Sequence, residues 1–497
     1  MFKNFPGYKL LEKIQKKKSH NRERKLPLNA IKLIFIIAIT SVIALLPTES
    51  FGIEGLTVVH QRIISLFVFA ALMWLTEAMP SWVTSMIVVT IMLLTVSTSA
   101  FNFLRPEDGA GLIPFKSIMA CFANPTIMLF IGGFVLAIGL TKVKLDVALA
   151  RVLLKPFGTR SEVVLLGFIL VTAIFSAFVS NTATAAMMLA FLTPVLKSLP
   201  ADGKGRIALA LAIPVGANLG GMITPIGTPP NMIALDYLSS QGMGISFVDW
   251  TIKMAPFVIL LLLLSWLLLR ILFPFKQKHI KIEIEGDIKW NRHTWSVVAA
   301  FAITIFMWMF GTDLWGVDTN VVAMIPIAIF CATGILTRRD LEEINWSVLW
   351  MVAGGFALGV ALNYKDASSV SLSSLIVNTV PFDNFSPLVV MILAGVICFG
   401  FSNFISHSAA TSLLVPVLGV VAGGLGSSLD SYGGPQAMLV GIAIASSVSM
   451  ILPISTPPNA IAHSTGFIEQ KDMMKVGIII GLMGLALGYA MLIFIGF

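Results

Sequence analysis

The apolar runs of this chain are too long for anything except crossing a membrane. Windows of about 20 apolar residues, the length a helix needs to span the hydrocarbon core, fall near 30–47, 56–78, 82–99, 124–142, 205–238, 250–274, 294–311, 319–336, 346–363, 435–466 and 476–496. Eleven crossings follow. Hydrophobic residues make up 57% of the 497 and charged ones only 12%, about half the charged share of a soluble domain. A water-soluble fold is excluded, and the expected class is an all-α polytopic membrane protein.

Two further apolar stretches, 161–198 and 386–424, do not fit as single crossings. The first has 38 residues, and as one helix it would reach about 57 Å at about 1.5 Å per residue. It must turn, and Ser180-Asn181-Thr182 sits at its middle. The tip holds no charge and no loop residues. Such a tip predicts a re-entrant hairpin, because irregular backbone at membrane depth is tolerated only beside protein or a water-filled cavity.

Orientation follows from Lys and Arg. With the N-terminus inside and each hairpin returning to its own face, 26 fall inside and five outside. That is a clear positive-inside bias, and it places the C-terminus outside a plasma (inner) membrane. Residues 1–29 carry nine Lys or Arg, among them Lys16, Lys17, Lys18, Arg22, Arg24 and Lys25, ahead of the first apolar window. This is unlike a cleavable signal peptide. It reads as a cytoplasmic tail that orients the protein and meets anionic lipid; nucleic acid is not an expected partner. Residues 143–156 put Lys144, Arg151 and Lys155 on one helical face, the pattern of a helix lying on the cytoplasmic surface. Cys121, Cys331 and Cys398 have no His or Cys at ligand spacing and read as packing residues.

The chain repeats itself. Pro225-Ile-Gly-Thr-Pro-Pro-Asn231 and Pro453-Ile-Ser-Thr-Pro-Pro-Asn459 agree at six of seven positions, 228 residues apart. Ser180-Asn181-Thr182 is echoed by Ser406-His407-Ser408, 226 residues apart. Five crossings, an odd number, separate the two hairpins, so the hairpins enter from opposite faces. An inverted repeat of this kind is the architecture of a secondary transporter with substrate near the midplane. The expected organisation is a tail (1–29), a first helix and loop (30–55), a first repeat (56–275; hairpin 161–198, broken helix 205–238), a linker (276–293) and a second repeat (294–497; hairpin 386–424, broken helix 435–466).

The repeated motifs point to an anion. Thr before Pro-Pro caps a helix and starts it anew, so Thr228-Pro229 and Thr456-Pro457 each break a spanning helix in mid-membrane. Ser180 and Ser406 are likewise caps for the second hairpin arms. Four helix N-termini at one depth give an anion site with no Lys or Arg, while the ends of the preceding half-helices offer carbonyls to a cation. Glu77, Asp146 and Asp236 read as helix-end or interfacial residues. No HExxH and no Gly-x-Ser-x-Gly occurs, so an intramembrane hydrolase is disfavoured and no enzyme activity is expected.

These paired motifs, over residues from about 56 to the end, resemble the divalent anion/sodium symporter family of dicarboxylate transporters and exchangers. The resemblance implies a homodimer with a scaffold domain and an elevator-type transport domain. It implies substrate contacts at Ser180, Asn181, Thr182, Thr228, Pro229, Ser406, His407, Ser408, Thr456 and Pro457. A first sodium site would map to Ser176, Ser180, Asn181 and Gly227. A second would map to Ser402, Ile405, His407 and Ser455, where an imidazole stands in place of the family's Asn. That departure resembles the exchanger branch and implies sodium-independent exchange of succinate, malate, fumarate or 2-oxoglutarate. The alternative is sodium-coupled symport of the same anions. No organic cofactor is implied.

Overall fold

In the computed structural model the described residues are 26–107, 109–200, 203–280, 290–365 and 370–497. The basic residues of the N-terminal tail and residues 281–289 of the linker lie outside them. Helices dominate, and the only β-pairing among the described residues is two isolated bridges. The main helices are α1 Leu26–Leu45, α2 Val58–Thr76, α3 Ser81–Thr95, α4 Pro125–Lys142, α5 Leu145–Leu154, α6 Ser161–Phe178, α7 Asn181–Ser198, α8 Gly205–Gly220, α9 Pro229–Ser240 and α10 Phe247–Leu272. They continue as α11 Arg292–Trp315, α12 Thr319–Ala332, α13 Trp346–Asn363, α14 Leu372–Thr379, α15 Pro387–Phe404, α16 His407–Leu425, α17 Gly434–Ser447, α18 Pro457–Ser464 and α19 Gln470–Phe494.

Nine described helices are long and apolar enough to cross a membrane, and five shorter apolar ones accompany them. Three of the nine, α6, α15 and α16, are hairpin arms. The other six and the five short ones match the eleven windows. Both long stretches turn where expected: Val179 and Ser180 leave helical geometry between α6 and α7, as do Ile405 and Ser406 between α15 and α16. Thr228 and Thr456 are extended, each followed by Pro at the first helical positions. Proline disfavours helix in the residue before it, so each Thr-Pro-Pro ends one half-helix and begins the next.

Three short helices are not visible in the hydropathy: Phe115–Ala120, Arg338–Glu342 and α14. The second is set by a capping box between Thr337 and Asp340, and α14 by the Ser371 hydroxyl accepting from the Ser374 amide at 3.2 Å. Both are cap signals shorter than a hydropathy window.

Packing interleaves the two halves. Arms α6 and α7 lie against α8, and arms α15 and α16 lie against α17. The half-helix after each break then crosses over: α9 packs on α16 and α17, and α18 packs on α7 and α8. Glycines permit the closest approaches. A Cβ on Gly216 would stand 2.6 Å from the Ile169 carbonyl oxygen, and one on Gly220 would stand 2.5 Å from that of Ala173, so α6 and α8 touch backbone to backbone.

The short helix α5 runs where a surface helix is expected, but Asp146 in its first turn is buried. Burial pushes its carboxyl up to about 6 from an ordinary value of 3.8, against bonds from the Val147 amide and the Thr141 hydroxyl. The folded chain thus holds this proton more tightly than the unfolded one, and each tenfold difference in proton affinity is worth about 1.4 kcal/mol. The ionised group therefore costs stability above about pH 6 and nothing below about pH 4. Asp146→Asn is expected to raise the melting temperature of the detergent-solubilised protein at pH 8 by a few degrees and to leave it unchanged at pH 4. A loss of stability at pH 8 would show that the carboxylate's hydrogen bonds outweigh its burial.

Candidate functional site

The two hairpin tips and the two helix breaks meet around one cavity of about 330 Å³. Ser180, Asn181 and Thr182 reach it from the first tip, Ser406, His407 and Ser408 from the second, Thr228 and Pro229 from the first break, and Thr456 and Pro457 from the second. All ten candidate substrate residues thus line a single space despite their separation in sequence. Trp82, Phe134 and Met351 wall it, and Ser81, Asn345 and Ser347 stand at its border. No Lys, Arg, Asp or Glu is among the described lining residues. Four helices, α7, α9, α16 and α18, begin there.

The caps of the two halves differ. Ser406 accepts from the Ala409 amide and Thr456 from the Asn459 amide, each at 3.2 Å. Ser180 and Thr228 occupy the matching positions but make no side-chain cap. The expectation that all four hydroxyls cap their helices holds only in the second half.

Behind the first tip is a cluster of oxygens. Ser176 Oγ lies 2.6 Å from Asn181 Oδ1 and 2.7 Å from the Ala217 carbonyl. A Cβ on Gly221 would sit 2.6 Å from Asn181 Oδ1, and one on Gly227 would strike the Gly221 carbonyl, so both glycines are required for these oxygens to converge. Neutral hydroxyl, amide and carbonyl oxygens suit a hard cation. Ser176 itself is buried and stands behind the cavity wall.

In the second half the equivalent space is filled differently. His407 Nε2–H donates to the Ser449 carbonyl at 2.5 Å. The Ser455 hydroxyl donates to the Leu452 carbonyl at 2.8 Å, and Ser402 is buried. Thus the imidazole takes up the Ser449 carbonyl. The Ser446 and Thr411 hydroxyls both donate to the His407 carbonyl at 2.9 Å, which fixes the tip.

Asn231 and Asn459, the last residues of the two heptapeptides, brace the breaks. Asn231 Nδ2 donates to the carbonyls of Gly221 (3.0 Å) and Thr224 (2.9 Å). Asn459 Nδ2 donates to those of Met450 (2.9 Å) and Leu452 (3.1 Å). Several lining residues escape the sequence reading, and one of them, Asn218 in α8, bonds to the second break. Its only sequence signal is a lone amide inside an apolar run.

A larger cavity, about 860 Å³, is bordered by Asn124, Asp236 and Asp318. Its two carboxylates repel an anion, and none of the four helix starts faces it. Asp236 accepts from the Thr126 hydroxyl at 2.8 Å, which ties α9 to α4.

Helix ends gathered around a cavity with no Lys, Arg, Asp or Glu among its described lining residues, within a bundle of membrane-length helices, define a multi-pass membrane transporter. Comparison with known proteins agrees. The chain belongs to the family described as the sodium:sulfate symporter transmembrane region, whose model matches residues 28–496, and this is the family its motifs implied. It is 31% identical over 470 residues to an uncharacterized transporter of Haemophilus influenzae, covering 90% of this chain and 94% of that one. It is 28% identical over 461 residues to the sodium-dependent dicarboxylate transporter SdcS of Staphylococcus saprophyticus, covering 85% and 83%. The fold is similar to the solved YdaH transporter of Alcanivorax borkumensis, with a TM-score of 0.53 and 13% identity over 86% of this chain and 97% of that one.

Proposed function

We propose that the protein carries small dicarboxylate dianions, such as succinate, malate, fumarate or 2-oxoglutarate, by sodium-independent exchange. The observation that carries this reading is the meeting of four helix N-termini at one uncharged cavity. Each N-terminus is worth about half a positive charge, so four together match the two charges of a dianion. Seven of the ten candidate residues, Ser180, Asn181, Thr182, Thr228, Ser406, Ser408 and Thr456, carry hydroxyl or amide groups that can donate to its carboxylates. The homologous SdcS protein, named as a dicarboxylate transporter, supports the substrate class.

His407 supports exchange. In a symporter the second coupling ion binds and leaves, and its gradient drives uptake. Here an imidazole N–H, part of the chain itself, holds the Ser449 carbonyl, and a group that cannot leave harvests no gradient. Movement is then favoured only with anion bound. The body that moves is α6–α9 with α15–α18, which carry the tips and the breaks, against a scaffold of the remaining helices, of which α3, α4 and α13 complete the cavity wall, in an elevator-type homodimer in the plasma membrane. With the Lys- and Arg-rich loops inside and the C-terminus outside, the border at Ser81, Asn345 and Ser347 faces the cytoplasm. In this reading the repeats span 56–275 and 294–497.

The second reading is sodium-coupled symport through Ser176, Ser180, Asn181 and Gly227, favoured by the oxygen cluster at Asn181. Proteoliposomes separate the two. Exchange predicts rapid succinate uptake into vesicles preloaded with succinate, at least about tenfold slower uptake into empty ones, and no response to a Na⁺ gradient. Concentrative Na⁺-driven uptake into empty vesicles would establish the symporter.

A further inference from the structure

We infer that Asn218, reaching from the first half of the chain, forces the Thr456 hydroxyl of the second half to act as a pure hydrogen-bond donor toward the cavity. The substrate end bound at Thr456 must then offer an acceptor, as an ionised carboxylate does at every oxygen, and a group that only donates is turned away. This rests on the anion-transport reading above and adds to it a positioning residue and a polarity for one end of the site.

Donor and acceptor roles around Thr456 are forced one after another. The Asn459 amide nitrogen faces two backbone carbonyls, those of Met450 and Leu452. Carbonyls only accept, so Nδ2 must be on that side and Oδ1 on the other. Asn459 Oδ1 faces Asn218, which must therefore present its own Nδ2, and does so at 3.0 Å. The same Nδ2 group lies 3.3 Å from Thr456 Oγ1. Thr456 Oγ1 also accepts from the Asn459 backbone amide at 3.2 Å. A hydroxyl oxygen has two lone pairs and one hydrogen. Both lone pairs are taken, so only the hydrogen remains, and it is given to no described residue. Thr456 lines the cavity, and the hydrogen points there.

The first half lacks this relay. The position matching Asn218 is Ser446, whose hydroxyl is spent on the His407 carbonyl. Asn231 Oδ1 is buried and takes no hydrogen bond from a described residue. Thr228 makes no side-chain cap, so its hydroxyl is free to accept or donate. Near-identical heptapeptides thus give one threonine of fixed polarity and one that adapts. A substrate with two unlike ends would seat its obligate acceptor at Thr456 and its hydroxyl-bearing or solvated end at Thr228.

The test uses the full-length protein in proteoliposomes. Wild type is first assayed with succinate, sulfate and phosphate, and the anion carried is used for all variants. If it carries sulfate or phosphate and no dicarboxylate, the substrate reading fails while the Asn218 test proceeds unchanged. Thr456→Val is expected to raise KM about tenfold with little change in maximal rate, the effect of one hydrogen bond to a charged acceptor. Thr456→Ser is expected to keep the wild-type KM. Asn218→Ala and Asn218→Leu should each raise KM about tenfold; the Leu variant keeps most of the volume and removes the donor without adding a charge, which separates packing from polarity. The decisive variant is Asn218→Ala combined with Thr456→Val, expected to be no worse than Thr456→Val alone. Additive losses, or an effect on maximal rate and yield with KM unchanged, would make Asn218 merely structural. If the Asn218 variants fail to insert, an unchanged KM in Thr456→Val overturns the inference by itself.

Discussion

A single carboxylate placed on either hairpin tip is expected to abolish transport. Thr182 and Ser408 are partly exposed in the cavity, one on each tip. Two charges about 5 Å apart at an effective dielectric of about 20 interact by about 3 kcal/mol, and a dianion meets that repulsion twice. Thr182→Asp and Ser408→Asp should therefore each lower uptake by more than about a hundredfold. Neutral Thr182→Asn and Ser408→Asn should retain much of it. Insertion and monodispersity in detergent are expected to be normal, because both positions line the cavity and neither is packed in the core. Wild-type uptake by either Asp variant would mean that the anion does not pass between the tips.

The second large effect concerns folding. A side chain on Gly220 has nowhere to go, since its Cβ meets the Ala173 backbone and not a movable side chain. Overpacking a core usually costs about 1–3 kcal/mol, and backbone-to-backbone contact puts this site at the upper end or beyond. Gly220→Val is expected to abolish monodisperse protein or to lower its melting temperature by more than about 10 °C. Gly423, in α16, has nothing within 4 Å of the place its methyl group would take as alanine. Gly423→Ala is expected to be neutral or slightly stabilising, from the higher helix propensity of Ala. Equal behaviour of the two variants would show that the α6–α8 contact is looser than its geometry states.

Much of the fold is written in local patterns. Stretches 161–198 and 386–424 are too long for one crossing and have polar middles, so their turns can be placed to the residue. The heptapeptides carry both breaks, since Pro-Pro after Thr acts on the backbone whatever its surroundings. What cannot be read is anything set by a partner far along the chain. Nothing near His407 announces the Ser449 carbonyl. Ser180 and Ser406 are the same residue in the same local setting, yet only one caps its helix. Asn218 looks like one polar residue in an apolar run, because its partners lie more than 200 residues away. Asp146 and Asp236 read as helix-end or interfacial residues; Asp146 is in the first turn of α5 and Asp236 within α9, and whether another element covers such a residue is a tertiary fact.

The crossing-over of α9 and α18 has a consequence for biogenesis. Asn218 meets its partners Thr456 and Asn459 across 238 and 241 residues. At about 5–20 residues per second on the ribosome, this amide waits roughly 12 to 48 seconds for them, already delivered to the bilayer. For that interval α8 carries an unpaired amide and α9 lacks the surface of α16 and α17. The first half thus enters the membrane as an unfinished structure that only the last fifth of the chain completes. The nascent protein needs shelter during that wait, from the insertion machinery or from water held between its own helices.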